Sequence, residues 1–208
     1  MTEDAFTVFL VDDDADVLKA LARLLRASGY DSREFASSKE FLREHDASMP
    51  GCAIFDVAMP DLDGLALQQA LTAKGIERPV IFLTGRGDIP TSVQAMKAGA
   101  VDFLTKPVDA DALLVAIDNA RERESRDREA RAELDFFTGR LATLTPRERE
   151  VFGHVISGRL NKQIAYDLGT VEKTIKVHRS RMMEKMGVRS LAELVRLAER
   201  AGIEVRRY

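Results

Sequence analysis

Cys52-Ala53-Ile54-Phe55-Asp56-Val57-Ala58-Met59-Pro60-Asp61-Leu62-Asp63-Gly64 is an apolar run that ends on a carboxylate and passes at once into a turn. A short apolar run bounded by turn residues reads as a buried strand. In an open α/β sheet, the residue at the carboxyl end of such a strand faces the crevice where ligands bind. Three other runs end in the same fashion. Val8-Phe9-Leu10-Val11 leads to Asp12-Asp13-Asp14, Val80-Ile81-Phe82-Leu83 leads to Thr84, and Val101-Asp102-Phe103-Leu104-Thr105 leads to Lys106 and Pro107. Two acidic strand ends side by side repel each other unless a hard cation lies between them. Mg²⁺ suits that place, because it prefers carboxylate oxygen and water.

Strand and helix patterns alternate around these runs. Strands are expected at 6–11, 31–35, 51–55, 79–83 and 100–104, and helices at about 15–28, 38–46, 64–74 and 89–98, with a fifth from 109. Val17, Leu18, Leu21, Leu24 and Leu25 share one helical face, and Gly29 follows as a C-terminal cap. Five βα units imply a parallel sheet covered on both sides. The expected fold is a doubly wound, flavodoxin-like α/β domain with its site at the carboxyl ends of the strands.

The 208 residues allow one or two domains, and a composition of 45% hydrophobic and 31% charged residues suits a soluble globular chain. The single cysteine, Cys52, excludes an internal disulfide and suits a reducing compartment; it reads as a small buried strand residue. Met1-Thr2-Glu3-Asp4 is acidic and leads straight into a strand, so no signal peptide is expected. No apolar run approaches the roughly 18–20 residues that span a bilayer, and the expected location is cytoplasmic, away from membranes. The net charge of −3 conceals an asymmetry. Residues 1–120 hold 11 Lys and Arg against 20 Asp and Glu, whereas residues 141–208 hold 14 against 8, a net of +6. A basic tail behind an acidic front suggests two jobs, with the tail meeting a polyanion.

Between these halves, residues 121–140 carry six charges of each sign, three and four apart, as an exposed helix would. Only Ala130, Leu134 and Phe137 offer an apolar seam there, so the stretch reads as a charged helical linker rather than a coiled coil. The tail reads as four helices, at about 146–157, 161–168, 172–186 and 190–201. Thr145-Pro146-Arg147-Glu148 is a helix start, with a cap residue, proline at the first position and glutamate at the third. In the third tail helix, Ile175, Met182 and Met186 face inward, while Lys173, Lys176, Val177 and Ser180 form another stripe. Charge, methyl groups and a hydroxyl together are what a major-groove helix needs to reach phosphates, guanine acceptors and thymine methyls. His178 stands beside the inward face and reads equally well as a packed histidine or a phosphate contact.

The order acid pair, acid, hydroxyl, ammonium and proline resembles a response-regulator receiver domain. Leu144-Thr145-Pro146-Arg147-Glu148-Arg149-Glu150-Val151, Gly158-Arg159-Leu160-Asn161-Lys162-Gln163-Ile164-Ala165 and Lys173-Thr174-Ile175-Lys176-Val177-His178 resemble a LuxR-type helix-turn-helix. Together they resemble the FixJ/NarL class of two-component response regulators. Thr84-Gly85-Arg86-Gly87-Asp88-Ile89-Pro90 and Met96-Lys97-Ala98-Gly99-Ala100-Val101-Asp102-Phe103 suggest the FixJ-like subgroup. The resemblance implies a receiver at 1–120, a linker at 121–140 and a DNA-binding domain at 141–208. It implies that Asp56 accepts a phosphoryl group from a sensor histidine kinase. Asp12, Asp13, Asp56 and the backbone carbonyl of Ala58 would hold Mg²⁺, Lys106 and Thr84 would contact the phosphoryl oxygens, and Thr84 and Phe103 would form the switch. The Lys106-Pro107 peptide would be cis. It further implies a phosphorylation-promoted homodimer formed through about residues 89–104, double-stranded DNA and RNA polymerase as partners, and no enzymatic role. Lys162 and Thr174 would hold backbone phosphates. Thr170 stands where the family often has an apolar residue, and could cap the recognition helix.

Two other readings of the first acidic stretch compete. A calcium loop starting at Asp12 would need glycine at its sixth position and glutamate at its twelfth, where Val17 and Arg23 stand. A haloacid-dehalogenase-type D-x-D site would use Asp12 as nucleophile and Asp14 as acid, but it accounts neither for the turn after Asp56 nor for the basic tail.

Overall fold

In a computed structural model, residues 6–85 and 89–203 are described; Arg86, Gly87 and Asp88 of the expected motif lie outside them. The chain divides into two compact units, Met1–Asp127 and Arg128–Tyr208. In the first, strands β1 (Thr7–Val11), β2 (Asp31–Phe35), β3 (Gly51–Asp56), β4 (Val80–Thr84) and β5 (Asp102–Thr105) form one parallel sheet in the order β2-β1-β3-β4-β5. Helices α1 (Ala15–Ala27), α2 (Ser38–Glu44), α3 (Gly64–Ala73) and α4 (Ile89–Lys97) connect them. Helix α5 (Ala110–Ala142) follows β5. The α/β expectation and the five strands are met.

The central strands are apolar throughout because both of their faces are covered. Val8, Leu10, Cys52, Ile54, Ile81 and Leu83 point to one side, where they meet α1 and the first turns of α5 through Leu18, Leu21, Leu25, Leu113 and Ile117. Phe9, Val11, Ala53, Phe55 and Phe82 point to the other, against Phe41, Leu67, Leu71 and Ala95 of α2 to α4. The period-2 alternation of strand side chains thus divides one apolar run between two cores. Phe41 stands 5.2 Å from Phe35 and 5.3 Å from Phe55, edge to face in both cases. That arrangement adds about 0.5–1.5 kcal/mol per pair beyond area burial. β2 lies at the sheet edge, and its Asp-Ser-Arg-Glu segment is largely exposed. Such charges discourage edge-to-edge association. Cys52 is fully buried, which pushes its thiol up to about 12, so it is an inert core residue.

The second unit contains α6 (Pro146–Ile156), α7 (Asn161–Asp167), α8 (Glu172–Met186) and α9 (Leu191–Arg200). Its core gathers Val151, Phe152, Val155, Ile164, Ile175, Met182, Met186, Leu194 and Leu197. Phe137, near the end of α5, is buried in the same core, a role its place in the charged stretch did not announce. The helix start read from the sequence at Thr145 is a full capping box. Thr145 Oγ1 accepts from the Glu148 N–H at 3.3 Å, and Glu148 Oε2 accepts from the Thr145 N–H at 2.9 Å. The same Glu148 oxygen takes a 2.6 Å ion pair from Lys185 of α8, tying α6 to α8.

The Lys185 ammonium and the Thr145 amide hold the Glu148 carboxyl down at about 2, from an ordinary 4.5. A depressed carboxyl contributes stability that is complete above its unfolded value and disappears as pH falls through its folded one. Glu148→Gln is therefore expected to destabilise the second unit at neutral pH and to flatten its stability profile between pH 4.5 and about 2. Thermal unfolding across that pH range checks both effects; an unaltered acid limb would show that the pair contributes nothing.

Candidate functional site

The strand order places the site. β1 and β3 are neighbours, yet the chain leaves β1 for β2 on one side and reaches β3 on the other. The crevice between their carboxyl ends is the switch point where doubly wound sheets bind ligands. Asp56 ends β3 and Asp12 follows β1; both are buried. Asp13 is exposed beside them. Oxygens of Asp12, Asp13 and Asp56 come within 4.8 Å of one another.

Lys106 follows β5 and reaches across to both buried acids. Its Nζ lies 2.6 Å from Asp12 Oδ2 and 2.6 Å from Asp56 Oδ1. The remaining oxygens of these acids are also engaged. Asp12 Oδ1 accepts from the Asp14 N–H at 2.9 Å, and Asp56 Oδ2 from the Ala58 N–H at 2.8 Å. Both partners are shifted upward, for different reasons. Burial raises the Asp12 carboxyl, and its bond to Lys106 only partly reverses this. Burial alone would lower the Lys106 ammonium, but hydrogen bonds to Asp12 and Asp56 raise it overall. The asymmetry is one of number: two carboxylates share a single ammonium. The cluster therefore has room for more positive charge, and its donors are all carboxylate oxygens, which fits a small hard cation.

Thr84 ends β4 and is buried, and its carbonyl accepts from the Lys106 N–H at 2.7 Å. Phe103 pairs in register with Phe82 on the neighbouring strand and is half-buried. The Lys106-Pro107 peptide is cis.

The turn after Asp56 does more than reverse the chain, and the sequence reading undervalued it. The Gly64 N–H bonds to the Val57 carbonyl at 3.2 Å. A Cβ at Gly64 would strike the Asp56 carbonyl, so only glycine lets α3 begin this close to the site. Asp63 caps that helix, accepting from the Ala66 N–H at 2.7 Å. Asp14 likewise caps α1, accepting from Asp16 and Val17. That use of Asp14 disposes of the phosphatase reading, which required it as an acid facing a substrate.

In the second unit, α8 presents the expected two faces. Ile175, Met182 and Met186 are buried, while Lys173, Lys176, Val177 and Ser180 are exposed. Lys162, in the first turn of α7, is exposed as well, whereas Thr174 and His178 are half-buried. Arg179 donates to Asn161 Oδ1 at 3.0 Å and so joins α8 to the start of α7. The expectation that Thr170 caps α8 is corrected. The cap position is Val171, without a side-chain hydrogen bond, and the Thr170 N–H closes the preceding helix onto the Ala165 carbonyl at 2.9 Å. Thr170 stands one residue too early to turn its hydroxyl onto α8. The sequence reading also passed over Glu172, which lies 3.1 Å from Lys176.

Comparison with known proteins finds one family match in each half of the chain. Residues 8–118 match the response regulator receiver domain, and residues 142–198 match the luxR family of bacterial regulatory proteins. The chain belongs to the two-component response regulators that join a receiver domain to a LuxR-type DNA-binding domain, and it is a transcriptional regulator of that class. It is 42% identical over 196 residues to nodulation protein W of Bradyrhizobium diazoefficiens, covering 94% of this chain and 86% of that protein. It is 42% identical over 206 residues to the transcriptional regulatory protein FixJ of Azorhizobium caulinodans, covering 96% of this chain and 95% of that one. Among solved structures it is similar to the response regulator StyR, with 44% identity, a TM-score of 0.78, and 93% and 98% of the two chains covered. Full-length FixJ of B. japonicum aligns at 38% identity with a TM-score of 0.56, over 96% of this chain and 98% of that one. Among the described residues no helix is long and apolar enough to cross a membrane.

Lys106→Ala leaves two buried carboxylates facing each other without this ammonium. A loss of about 2 kcal/mol in the first unit is expected, below the usual 3–5 for a buried pair because the lysine is partly exposed. Millimolar Mg²⁺ should restore part of that loss by binding the folded state. Urea unfolding with and without Mg²⁺ measures both; an unchanged midpoint would mean the acids tolerate one another unaided.

Proposed function

We propose that Asp56 is the phosphoacceptor of this regulator. The observation that carries the reading is the convergence of Asp12, Asp13, Asp56 and Lys106 at the carboxyl edge of one sheet. An Asp56 carboxylate oxygen attacks the phosphorus of a phosphohistidine on a sensor kinase. The new P–O bond forms as the P–N bond breaks, and the imidazole leaves with the electron pair. Such transfers need positioning and charge neutralisation more than covalent help from the protein. Asp12, Asp13 and Asp56, with the Ala58 carbonyl, would hold Mg²⁺. Bound there, Mg²⁺ supplies positive charge that offsets the carboxylates and the developing charge on the phosphoryl oxygens. Lys106 already stands against Asp56 and can turn to a phosphoryl oxygen as a mobile point charge. Thr84 offers a hydroxyl from the adjacent strand end. The chain acts as substrate and participant in its own phosphorylation, not as an enzyme on other molecules.

The proposed switch runs from Thr84 to Phe103 and outward to α4. Ile89, Val93 and Met96 recur at four and three residues on that helix and are all exposed. This apolar face supports a homodimer formed through about residues 89–104 when Asp56 is phosphorylated. In energetic terms, the phosphoryl group must favour one of two pre-existing conformers. The proposed division is a receiver at 1–120, a linker at 121–140 and a DNA-binding domain at 141–208, with Phe137 anchoring the linker's end in the last of these. α8 would enter the major groove of double-stranded DNA and present Lys173, Lys176, Val177 and Ser180, while Lys162 and Thr174 take phosphates. Transcription then requires RNA polymerase as a further partner. The setting is the cytoplasm.

Incubation with acetyl phosphate is expected to label the wild-type protein only when Mg²⁺ is present, and to leave Asp56→Asn unlabelled. Full labelling in EDTA or in the variant would sink the assignment. On the DNA side, Lys162→Ala should weaken binding to all sequences alike and lower the salt slope by about one unit. Lys176→Ala should instead cost ~1–3 kcal/mol on a preferred site and relax one base position. Binding of both variants to preferred and random duplexes across a salt series separates the roles. Equal losses on every sequence would make Lys176 another phosphate contact.

A further inference from the structure

Helix α8 carries an acid on the face proposed to meet DNA. Glu172 is the first residue of the helix and is exposed, and its Oε1 lies 3.1 Å from Lys176 Nζ. At roughly 100° per residue, Glu172, Lys176, Ser180, Lys173 and Val177 fall in that order within an arc of about 140°. The buried residues Ile175, Met182 and Met186 occupy a separate arc, which begins about 40° beyond Glu172. Glu172 thus sits at the rim of the stripe, with Lys176 as its neighbour.

A carboxylate there opposes general affinity for a polyanion. It repels phosphate and cancels part of the charge that would release counterions. Favourable terms exist, but they are small. An acid in the first turn of a helix and a Glu-to-Lys pair four residues apart each stabilise an exposed helix only slightly. What the arrangement does supply is a paired acceptor and donor at the end of a recognition helix that makes the base contacts in helix-turn-helix complexes.

We propose that Glu172 is a specificity-determining residue of this DNA-binding face. Resting against Lys176, it holds that ammonium away from phosphates. On a matching duplex, Glu172 accepts from the amino group of a cytosine while Lys176 donates to a guanine. Carboxylates pair with cytosine N4 in the major groove, and lysine pairs with guanine O6 or N7. Guanine and thymine offer no hydrogen-bond donor on that edge, so either of them at this position leaves the acid desolvated and unpaired. Discrimination then comes from penalising wrong sequences as much as from rewarding right ones. The inference rests on the proposed docking of α8 in the major groove.

The test is in vitro selection from duplexes with a randomised core. The full-length wild-type protein and Glu172→Gln are compared, each treated with acetyl phosphate and Mg²⁺. The wild type should enrich a motif with a fixed cytosine in each half-site. In Glu172→Gln that one preference should fall by roughly five- to a hundredfold and move toward adenine, whose N6 and N7 suit a carboxamide. Affinity for unselected duplex should rise, with a salt slope about one unit steeper. The same motif from both proteins, or an affinity gain equal on every sequence, would overturn the role of Glu172 alone. Failure of the wild type to enrich any motif would overturn both this inference and the proposed reading of DNA by α8.

Discussion

Two buried carboxylates share one ammonium at the carboxyl edge of the sheet, and the first unit is organised around that imbalance. Asp12 and Asp56 come from strands adjacent in space but separated in sequence by α1, β2 and α2, and Lys106 arrives from the far edge of the sheet. Burial raises the Asp12 carboxyl, while two acceptors raise the Lys106 ammonium. The site is therefore held together and short of positive charge at once. A pocket in that state favours whatever brings a cation or redistributes the lysine, which is what a phosphoryl-transfer site proposed to use a divalent ion requires.

The precision of that cluster depends on packing well away from it. Each central strand contributes alternate residues to two different cores, so no strand can slip by one position without moving its apolar set to the wrong side. Fixed register brings Asp56, Thr84 and Lys106 to one edge, with Thr84 one residue and Lys106 two residues past the level of Asp56. The turn after Asp56 adds a further restraint. Asp63 caps α3 while Gly64 lets that helix start against the Asp56 carbonyl. The acids around this crevice divide between two tasks, some facing it and others, Asp14 and Asp63, holding helix ends in place.

In the second unit the corresponding constraint is Glu148, which closes the capping box of α6 and pairs with Lys185 of α8. It ties α8 to α6. Arg179 makes a second tie, to the start of α7. The exposed stripe of α8 thus lies on a helix held at two points, as the proposed discrimination between base edges requires. The two charged ties use different residues from the stripe itself, so support and the proposed recognition are separable.

Much of this was legible in the amino-acid order. Apolar runs ending in Asp12, Asp56, Thr84 and Lys106 define four strand ends, and strand ends of a parallel sheet share one edge by topology alone. The Thr145-Pro146-Arg147-Glu148 start could likewise be read, because capping is local chemistry among residues three apart. Contacts made across space were not legible. No spacing rule shows that Lys106 divides itself between two acids, that Glu148 serves α8 as well as its own helix, or that Phe137 leaves a charged stretch to join a core. Nor does sequence show that Val171, rather than the threonine expected to cap α8, takes the cap position. Each of these is settled by which surfaces lie next to one another once the chain has packed. Sequence by itself determined the elements, their order and the chemistry at their ends. Only the tertiary structure decided which of those ends touch, because burial and pairing are properties of neighbours in space.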